Sequence, residues 1–328
     1  MTISIIIPVY NVEAYITECL ESVVQQTYQG EMECLIVDDC GTDNSISVAE
    51  QFIQIYQGDI RFRILHHKHN RGLSAARNTG VEAATGDYVY FLDSDDAIVP
   101  ETIELMVNVV CKHPKVEMVQ GGIMSMKGEP TDDFTKRQLP EYTDDVDWIM
   151  DKILFHLPVC SWNRLLKREF LIREGISFHE GIIHEDVPYN FILALKCRYI
   201  GFVKQNTYLF RPQRIGSITT TRQEERALES RIIIMKECIE AYHTHNYDSK
   251  KQLRVVNMAL WRKWLTYMVI HNHTTLSKYR EEIECISNQM ASLTPCPWNL
   301  LAFSFKIIPQ KAMQNKYLLK AYQILLSK

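Results

Sequence analysis

Asp87-Tyr88-Val89-Tyr90-Phe91-Leu92-Asp93-Ser94-Asp95-Asp96 is the stretch on which the reading of the fold turns. Tyr88 to Leu92 is an unbroken apolar run. That pattern belongs to a strand covered on both faces, as in a parallel sheet between helices. Three carboxylates, Asp93, Asp95 and Asp96, follow within four positions, and no Lys or Arg stands within four residues of them. At the mouth of a buried strand they repel one another. A divalent cation would relieve that repulsion, and hard oxygen ligands suit Mg²⁺ or Mn²⁺, which often bind together with a diphosphate. Open α/β sheets take ligands at the carboxyl ends of their strands, so Asp93 and Asp95 are read as metal ligands. Asp96 is read as part of a polar turn that starts the next helix, because Pro100-Glu101 looks like a first helical turn.

Upstream, Ile3 to Ile7 is a β-branched run and a central strand, which Pro8 is expected to end because proline brings no N–H to the ladder. Helical spacing follows in Ile16, Leu20, Val23 and Val24. No glycine precedes Gly30, which excludes a P-loop and the glycine-rich first turn of a Rossmann dinucleotide site. Cys34 to Val37 is a second strand ending in Asp38-Asp39. A carboxylate there can bond a nucleobase N–H or a ribose hydroxyl, or can simply cap the next helix, Ser45 to Tyr56. Phe62 to Leu65 is a third strand. His66-His67-Lys68-His69 is read as a polar loop and not a metal site, because adjacent side chains point apart. In Asn70 to Gly80, N-R-G-L-S-A-A-R-N-T-G, Gly72 opens a helix whose small residues Ser74, Ala75 and Ala76 permit close approach. Arg77 either reaches a diphosphate or lies on an exposed helix face. Strands alternating with helices in this way make an α/β protein with a mostly parallel, helix-covered sheet.

Downstream, Val116 to Ile123 reads as a strand and 126–147, with its five aspartates, as a flexible loop or lid. Trp148 to Leu157 is amphipathic, His179 to Asn190 leads into an apolar helix, and Gly201 to Arg211 alternates like a strand. From Glu224 the pattern is helical, over about 224–245, 250–271, 276–292 and 311–327. The expected organisation is residues 1–215 as one α/β domain, with a nucleotide-binding half at 1–122 and an acceptor-side half at 123–215, then a helical region at 216–328.

The chain has 328 residues and a net charge of −4, which argues against nucleic acid held on a broad basic surface. Nine scattered cysteines without a C-x-x-C pair read as reduced thiols in a cytoplasmic protein. Neither a signal peptide nor an apolar run of spanning length is read. Residues 285–328 contain five lysines and no acid, beside Leu300, Leu301, Phe303, Phe305, Ile307 and Ile308. Such a tail suits peripheral contact with an anionic membrane, and equally a helical cap on the core or a homodimer contact.

Five segments stand in a recognisable order: Ser4–Asn11 (S-I-I-I-P-V-Y-N), Ile36–Ser45 (I-V-D-D-C-G-T-D-N-S), Asn70–Gly80, Phe91–Asp96 (F-L-D-S-D-D) and His184–Tyr189 (H-E-D-V-P-Y). Over about residues 3–215 they closely resemble family 2 glycosyltransferases of the GT-A fold, of the kind that builds bacterial capsules, O-antigens and exopolysaccharides. The resemblance implies that Pro8, Val9, Tyr10 and Asp39 line the nucleoside pocket, with Asp39 on the base. It implies that Arg77 and the Asn70–Gly72 turn lie near the donor diphosphate. It makes Asp93-Ser94-Asp95 the D-x-D motif, Asp93 towards ribose and metal and Asp95 on the Mn²⁺ or Mg²⁺, and Asp186 the catalytic base. The donor implied is a nucleotide sugar, with a UDP-sugar preferred, and the activity a hexosyl- or N-acetylhexosaminyl-transfer with inversion. The acceptor implied is a saccharide or lipid-linked saccharide at the inner face of the cell membrane. One departure is visible: the family's D-D-G-S-T-D is here Asp38-Asp39-Cys40-Gly41-Thr42-Asp43, with the glycine moved by one. Two other readings stand beside this one, an inactive nucleotide-sugar-binding protein and a sugar nucleotidyltransferase. The second would need a glycine-rich loop where Pro8-Val9-Tyr10-Asn11 stands. Glu185 and His184 are alternative bases, and Trp162 is either a core residue or a sugar platform.

Overall fold

The computed structural model describes residues 1–132, 134–212, 224–270 and 273–293. It divides into two compact units. The first comprises Met1–Ile149, Pro158–Gly181 and Lys196–Thr221, and the second Met150–Leu157, Ile182–Leu195 and Arg222–Lys328. The helical unit thus includes two segments from within the stretch 123–215.

The first unit opens with β1 (Ile3–Val9), α1 (Ile16–Val24), β2 (Met32–Asp38), α2 (Ser45–Ile55), β3 (Arg61–His66), α3 (Leu73–Ala83) and β4 (Tyr88–Phe91). These strands lie in the order β3-β2-β1-β4, all parallel. The order reverses at β1, because the chain steps out to β2 and β3 and then returns to the other side of β1 for β4. Such a reversal opens a crevice beyond the carboxyl ends of the two central strands. Ile3, Ile5 and Ile7 of β1 are fully buried in one core with Ile16, Leu20 and Val23 of α1. The small residues of α3 do allow close approach: a Cβ on Gly80 would meet Ile6 Cγ2 at 2.3 Å.

Pro8 does not end the whole ladder. Strand β1 continues past it, with Pro8 opposite Val37 and Val9 opposite Asp38. The Val9 carbonyl accepts from the Asp39 N–H, while the Ile6 carbonyl accepts from Leu92 N–H on the β4 side. Backbone groups alternate sides along a strand, so the nitrogen of Pro8 faces β4. Only the β1–β4 ladder ends there, and the two strand ends part at the crevice.

The unit continues with β5 (Ala97–Ile98), α4 (Thr102–Lys112), β6 (Met118–Ser125), β7 (Pro130–Asp132), a 3₁₀ turn (Phe134–Lys136), β8 (Tyr142–Thr143) and α5 (Val146–Phe155), whose later residues belong to the second unit. After it come β9 (Arg164–Lys167), α6 (Arg168–Glu174), α7 (Asp186–Lys196) and β10 (Ile200–Phe210). The sheet extends as β4-β9-β6-β10-β5. Here β9 is antiparallel to both neighbours and β10 parallel to β6, so this half is mixed. The stretch 126–147 is not a structureless loop: β7 pairs β6, β8 pairs β10, and Phe134 is buried edge-on against Phe202. An apolar anchor inside a polar-looking stretch explains the difference. In S-W-N-R, Asn163 is buried and its amide donates to the Gly121 and Gly122 carbonyls while accepting from Thr207 and Tyr90.

The second unit is helical, with α7 joined by α8 (Glu224–Thr244), α9 (Lys250–Ile270), α10 (His273–Lys278) and α11 (Arg280–Ser292). Phe191, Leu228, Ile234, Met235, Trp261 and Ile286 are among the side chains of its core. The helix expected at 311–327 and most of the acid-free tail, 294–328, lie outside the described residues.

Candidate active site

Two groups of residues meet at the carboxyl ends of the first unit's strands. The first is built around Asp39, just past β2 and only 3% exposed. Its Oδ1 accepts from the Arg71 N–H at 2.8 Å and its Oδ2 from the Gly72 N–H at 2.8 Å. Asn70 Nδ2 donates to its carbonyl at 3.2 Å. Gly72 has φ +89°, a conformation open to glycine, and begins α3. Asp39 is therefore the anchor of the Asn70–Gly72 turn, and these predicted residues do meet. His67, read as a loop residue, is buried: Nδ1–H donates to Asp39 Oδ1 at 2.7 Å and Nε2 lies 2.9 Å from the Thr79 hydroxyl. The polar composition of the histidine run hid this, because one side chain of the run turns inward at the end of β3. Asp38 closes its own turn, accepting from the Cys40 N–H. Neither aspartate caps α2.

At the end of β1, Pro8 and Val9 are buried, and Tyr10 alone of the three is exposed, at 46%. Asn11 has φ +52°, and its side-chain oxygen accepts from the Thr42 N–H at 2.7 Å, which fits the shifted glycine turn onto the β1 end.

The second group is the D-x-D segment beyond β4. Asp93 and Asp95 are half-buried, with Ser94 and Asp96 buried between and after them. Arg77 of α3 is 2% exposed and donates from Nη2 to Asp93 Oδ1 at 2.7 Å. Its guanidinium is thus neither on an exposed helix face nor open to solvent: it is the countercharge of Asp93. The local sequence shows no cation near the three acids, yet the tertiary fold supplies this one.

Asp96 is not a helix cap. Its Oδ2 accepts from the Tyr208 hydroxyl at 2.8 Å and its Oδ1 from the Arg211 N–H at 2.7 Å. The Tyr208 oxygen in turn accepts from the Asp93 N–H at 3.2 Å. Arg211 Nε donates to the Asp95 carbonyl at 2.9 Å, and its guanidinium pairs with Glu18. The end of β10 is thus laced to the D-x-D segment. Burial, then Asp93 and Asp95, push the Asp96 carboxyl up to about 8, against the two hydrogen bonds. Asp96, Tyr208 and Arg211 were missed from the sequence as site residues; Tyr208 and Arg211 stand in the stretch Gly201–Arg211, which was read only as a strand. Trp162 stacks on Tyr208 with ring centroids 4.2 Å apart, behind this lacing.

The chemistry of the donor set suits a hard cation. Among the described residues no group of three or more His, Cys, Asp or Glu side chains gathers as a metal nest. Asp93 and Asp95 could supply only part of a shell for Mg²⁺ or Mn²⁺, the rest coming from diphosphate oxygens and water.

A separate set of candidate residues belongs to the second unit. Asp186 is the first residue of α7 and half-buried, and its carbonyl accepts from Asn190 Nδ2 at 2.7 Å. A carboxylate there meets the positive end of the helix dipole. His184 just before it has φ +64°. Burial pushes the Lys263 ammonium down, while Cys238 and Asp186 oppose that shift.

The glycosyl transferase family 2 model matches residues 4–171, half of the chain. The chain belongs to glycosyl transferase family 2. It is a glycosyltransferase, and its fold is GT-A. GlyG of Streptococcus pneumoniae, named a glycosyltransferase, is 31% identical over 231 residues, covering 67% of this chain and 73% of GlyG. Among solved structures, the 1–349 fragment of S. aureus TarS in complex with UDP superposes with a TM-score of 0.73 at 19% identity, over 98% of this chain and 91% of that one. A mannosyltransferase from Pyrobaculum calidifontis, in complex with GDP-Man and Mn²⁺, gives a TM-score of 0.57 at 18% identity over 99% and 85%. Both similarities speak to the fold alone. Among the described residues no helix of this family member is long and apolar enough to cross a membrane.

Proposed function

We propose that the chain is an inverting, metal-dependent glycosyltransferase that moves a hexosyl or N-acetylhexosaminyl group from a UDP-sugar to a saccharide or lipid-linked saccharide acceptor. The observation that carries this reading is the convergence, at the switch between β1 and β4, of the Asp39-anchored turn with the Arg77–Asp93 pair and Asp95. The Asn70–Gly72 turn lies near the donor diphosphate, Tyr10 borders the nucleoside, and Asp39 reads the base from beneath the turn that it holds. Arg77 acts on the donor through Asp93, since its guanidinium is committed to that carboxylate. Asp93 and Asp95 would hold Mn²⁺ or Mg²⁺, which when bound supplies positive charge against the leaving diphosphate.

In the reaction an acceptor hydroxyl attacks the anomeric carbon opposite the diphosphate. The new C–O bond forms as the bond to the β-phosphate oxygen breaks, and the hydroxyl proton passes to Asp186. One base on the acceptor side suffices for this direct displacement, and the anomeric configuration inverts.

The purified protein, given a panel of nucleotide sugars with Mn²⁺, should release UDP from one of them, and titration should show UDP binding more tightly than GDP, ADP or CMP. A purine nucleotide bound most tightly would overturn the uridine reading. Absence of transfer and donor hydrolysis with every sugar would favour the inactive binder. The acid-free stretch 285–328 supports action at the inner face of a membrane. Sedimentation with anionic liposomes at low salt, lost on truncation before Pro295, tests that contact against a helical cap or a dimer interface.

A further inference from the structure

The chain leaves α6 through Gly175, whose φ of +64° places it in the left-handed cap position, with the Ile176 N–H bonded back to the Leu171 carbonyl. It then runs extended: Ile176 and Phe178 point inward and are buried, and Ser177 and His179 point out. This short strap ends against α3 in an unusually specific way. The Asn78 side chain bonds the backbone of Phe178 twice, with Nδ2 donating to its carbonyl and Oδ1 accepting from its N–H, both at 2.9 Å. One residue pair thus fixes both the height and the rotation of Phe178. Further along, Arg71 Nη2 lies 3.1 Å from both carboxylate oxygens of Glu180, tying the strap to the Asn70–Gly72 turn.

The Phe178 ring sits where the donor-side residues meet. The Arg77 guanidinium lies 5.3 Å from its centroid, over the ring. Phe91, the last residue of β4, meets the same ring edge to face at 5.4 Å and 84°. One aromatic side chain therefore touches both the cation that pairs with Asp93 and the strand that delivers Asp93 two residues later. The salt bridge fixes one guanidinium nitrogen against Asp93. The ring face adds a contact that favours one orientation of the guanidinium plane.

We propose that Phe178, clamped by Asn78, is a positioning residue for the donor: it holds the Arg77–Asp93 pair in the orientation in which Asp93 meets the ribose and metal end of a nucleoside diphosphate. The inference rests on the role assigned to Asp93 under the proposed function. It adds a positioning device whose ring stands 85 residues beyond Asp93 in sequence and which carries no titratable group.

The test is a double-mutant cycle on UDP binding, measured calorimetrically with Mn²⁺ on the full chain, with uridine as control. Wild type binds UDP, and Asp93→Ala weakens it. Phe178→Leu weakens UDP about tenfold, the size of a buried cation–π contact, and weakens uridine, which brings the ribose without the diphosphate and metal, by much less. Phe178→Tyr, which keeps the ring face, returns UDP affinity to within about twofold of wild type. In the Asp93→Ala background, Phe178→Leu has no further effect. Asn78→Asp, which sets a carboxylate against the Phe178 carbonyl, reproduces the UDP defect in case Phe178→Leu folds poorly. If Asp93→Ala leaves UDP binding intact, the donor reading fails and this inference with it. If Asp93→Ala weakens UDP but both Phe178→Leu and Asn78→Asp bind it normally, only the strap inference is overturned. Equal loss of uridine and UDP, or additive losses in the cycle, would reduce Phe178 to a packing residue and overturn it too.

Discussion

Two carboxylates, Glu33 and Asp96, are each 2% exposed at opposite ends of the same sheet, and their surroundings differ. Glu33 lies near the amino end of β2. It accepts from the Ser4 hydroxyl at 2.6 Å and from the Thr85 N–H and hydroxyl at 2.6 and 2.9 Å, and Arg63 stands 3.6 Å away. Burial pushes its carboxyl up, yet these donors together hold it below the usual glutamate range. Asp96, at the carboxyl ends, has two donors and two neighbouring carboxylates, and is pushed up to about 8. A buried acid ringed by donors ties strands together. A buried acid crowded by other acids marks where outside positive charge is wanted. Both side chains are hidden from solvent, but Asp96 lies deeper, so its stronger desolvation is joined by like charges, whereas that of Glu33 is outweighed by donors.

The comparison can be broken most forcefully at Asp95. Asp95→Ala should reduce transfer to background while the melting temperature does not fall, because one of several repelling charges is removed. Wild type should lose transfer in EDTA and regain it with Mn²⁺ or Mg²⁺, and full activity in chelator would end the D-x-D reading.

Next in size is Asp186, a carboxylate of the second unit read as the base. Asp186→Asn should lower turnover about 100-fold with donor affinity nearly unchanged. A dead Glu185→Gln beside an active Asp186→Asn would move the role by one residue.

The same amide replacement should then have opposite signs at the two ends of the sheet. Glu33→Gln sets an NH₂ group against donors, and urea unfolding should show a loss of about 2 kcal/mol with turnover per folded molecule unchanged. The folded value of Glu33 lies below the unfolded one, so its contribution is present above the unfolded value and lost as pH falls through the folded one. The variant should therefore show a flatter acid limb. Asp96→Asn should instead stabilise the metal-free protein at neutral pH, by about 1 kcal/mol or more. The folded value of Asp96 lies above the ordinary 3.8, so wild-type stability declines from that pH up to about 8 and the gain from the amide grows over the same window. A gain that is flat with pH would mean that Asp96 ionises normally.

Much of the donor-binding half was legible because its signals are local. The runs Ile3–Ile7, Cys34–Val37, Phe62–Leu65 and Tyr88–Phe91 all proved to lie in strands; β1, β2 and β4 are buried on both faces and so apolar at nearly every position, while β3 is the half-exposed edge strand. Asp39, Asn70 and Gly72 stand in segments whose order was readable, and they do meet. Composition misled where one residue opposes its neighbourhood. Phe134 orders a polar stretch, and His67 turns inward from a polar run.

By itself the sequence determined the four parallel strands, the acids at their carboxyl ends and the membership of a glycosyltransferase family, because periodicity and short motifs depend on neighbours along the chain. Only the tertiary structure decided what those acids face. Arg77 reaches Asp93 from sixteen residues away, Tyr208 and Arg211 reach the segment from more than a hundred, and Phe178 backs the Arg77 guanidinium. Charge and hydrogen-bond complementarity act through space, so whether an acid such as Asp96 becomes a cap, a strand tie or the neighbour of a cation site is settled only when the distant strands close around it.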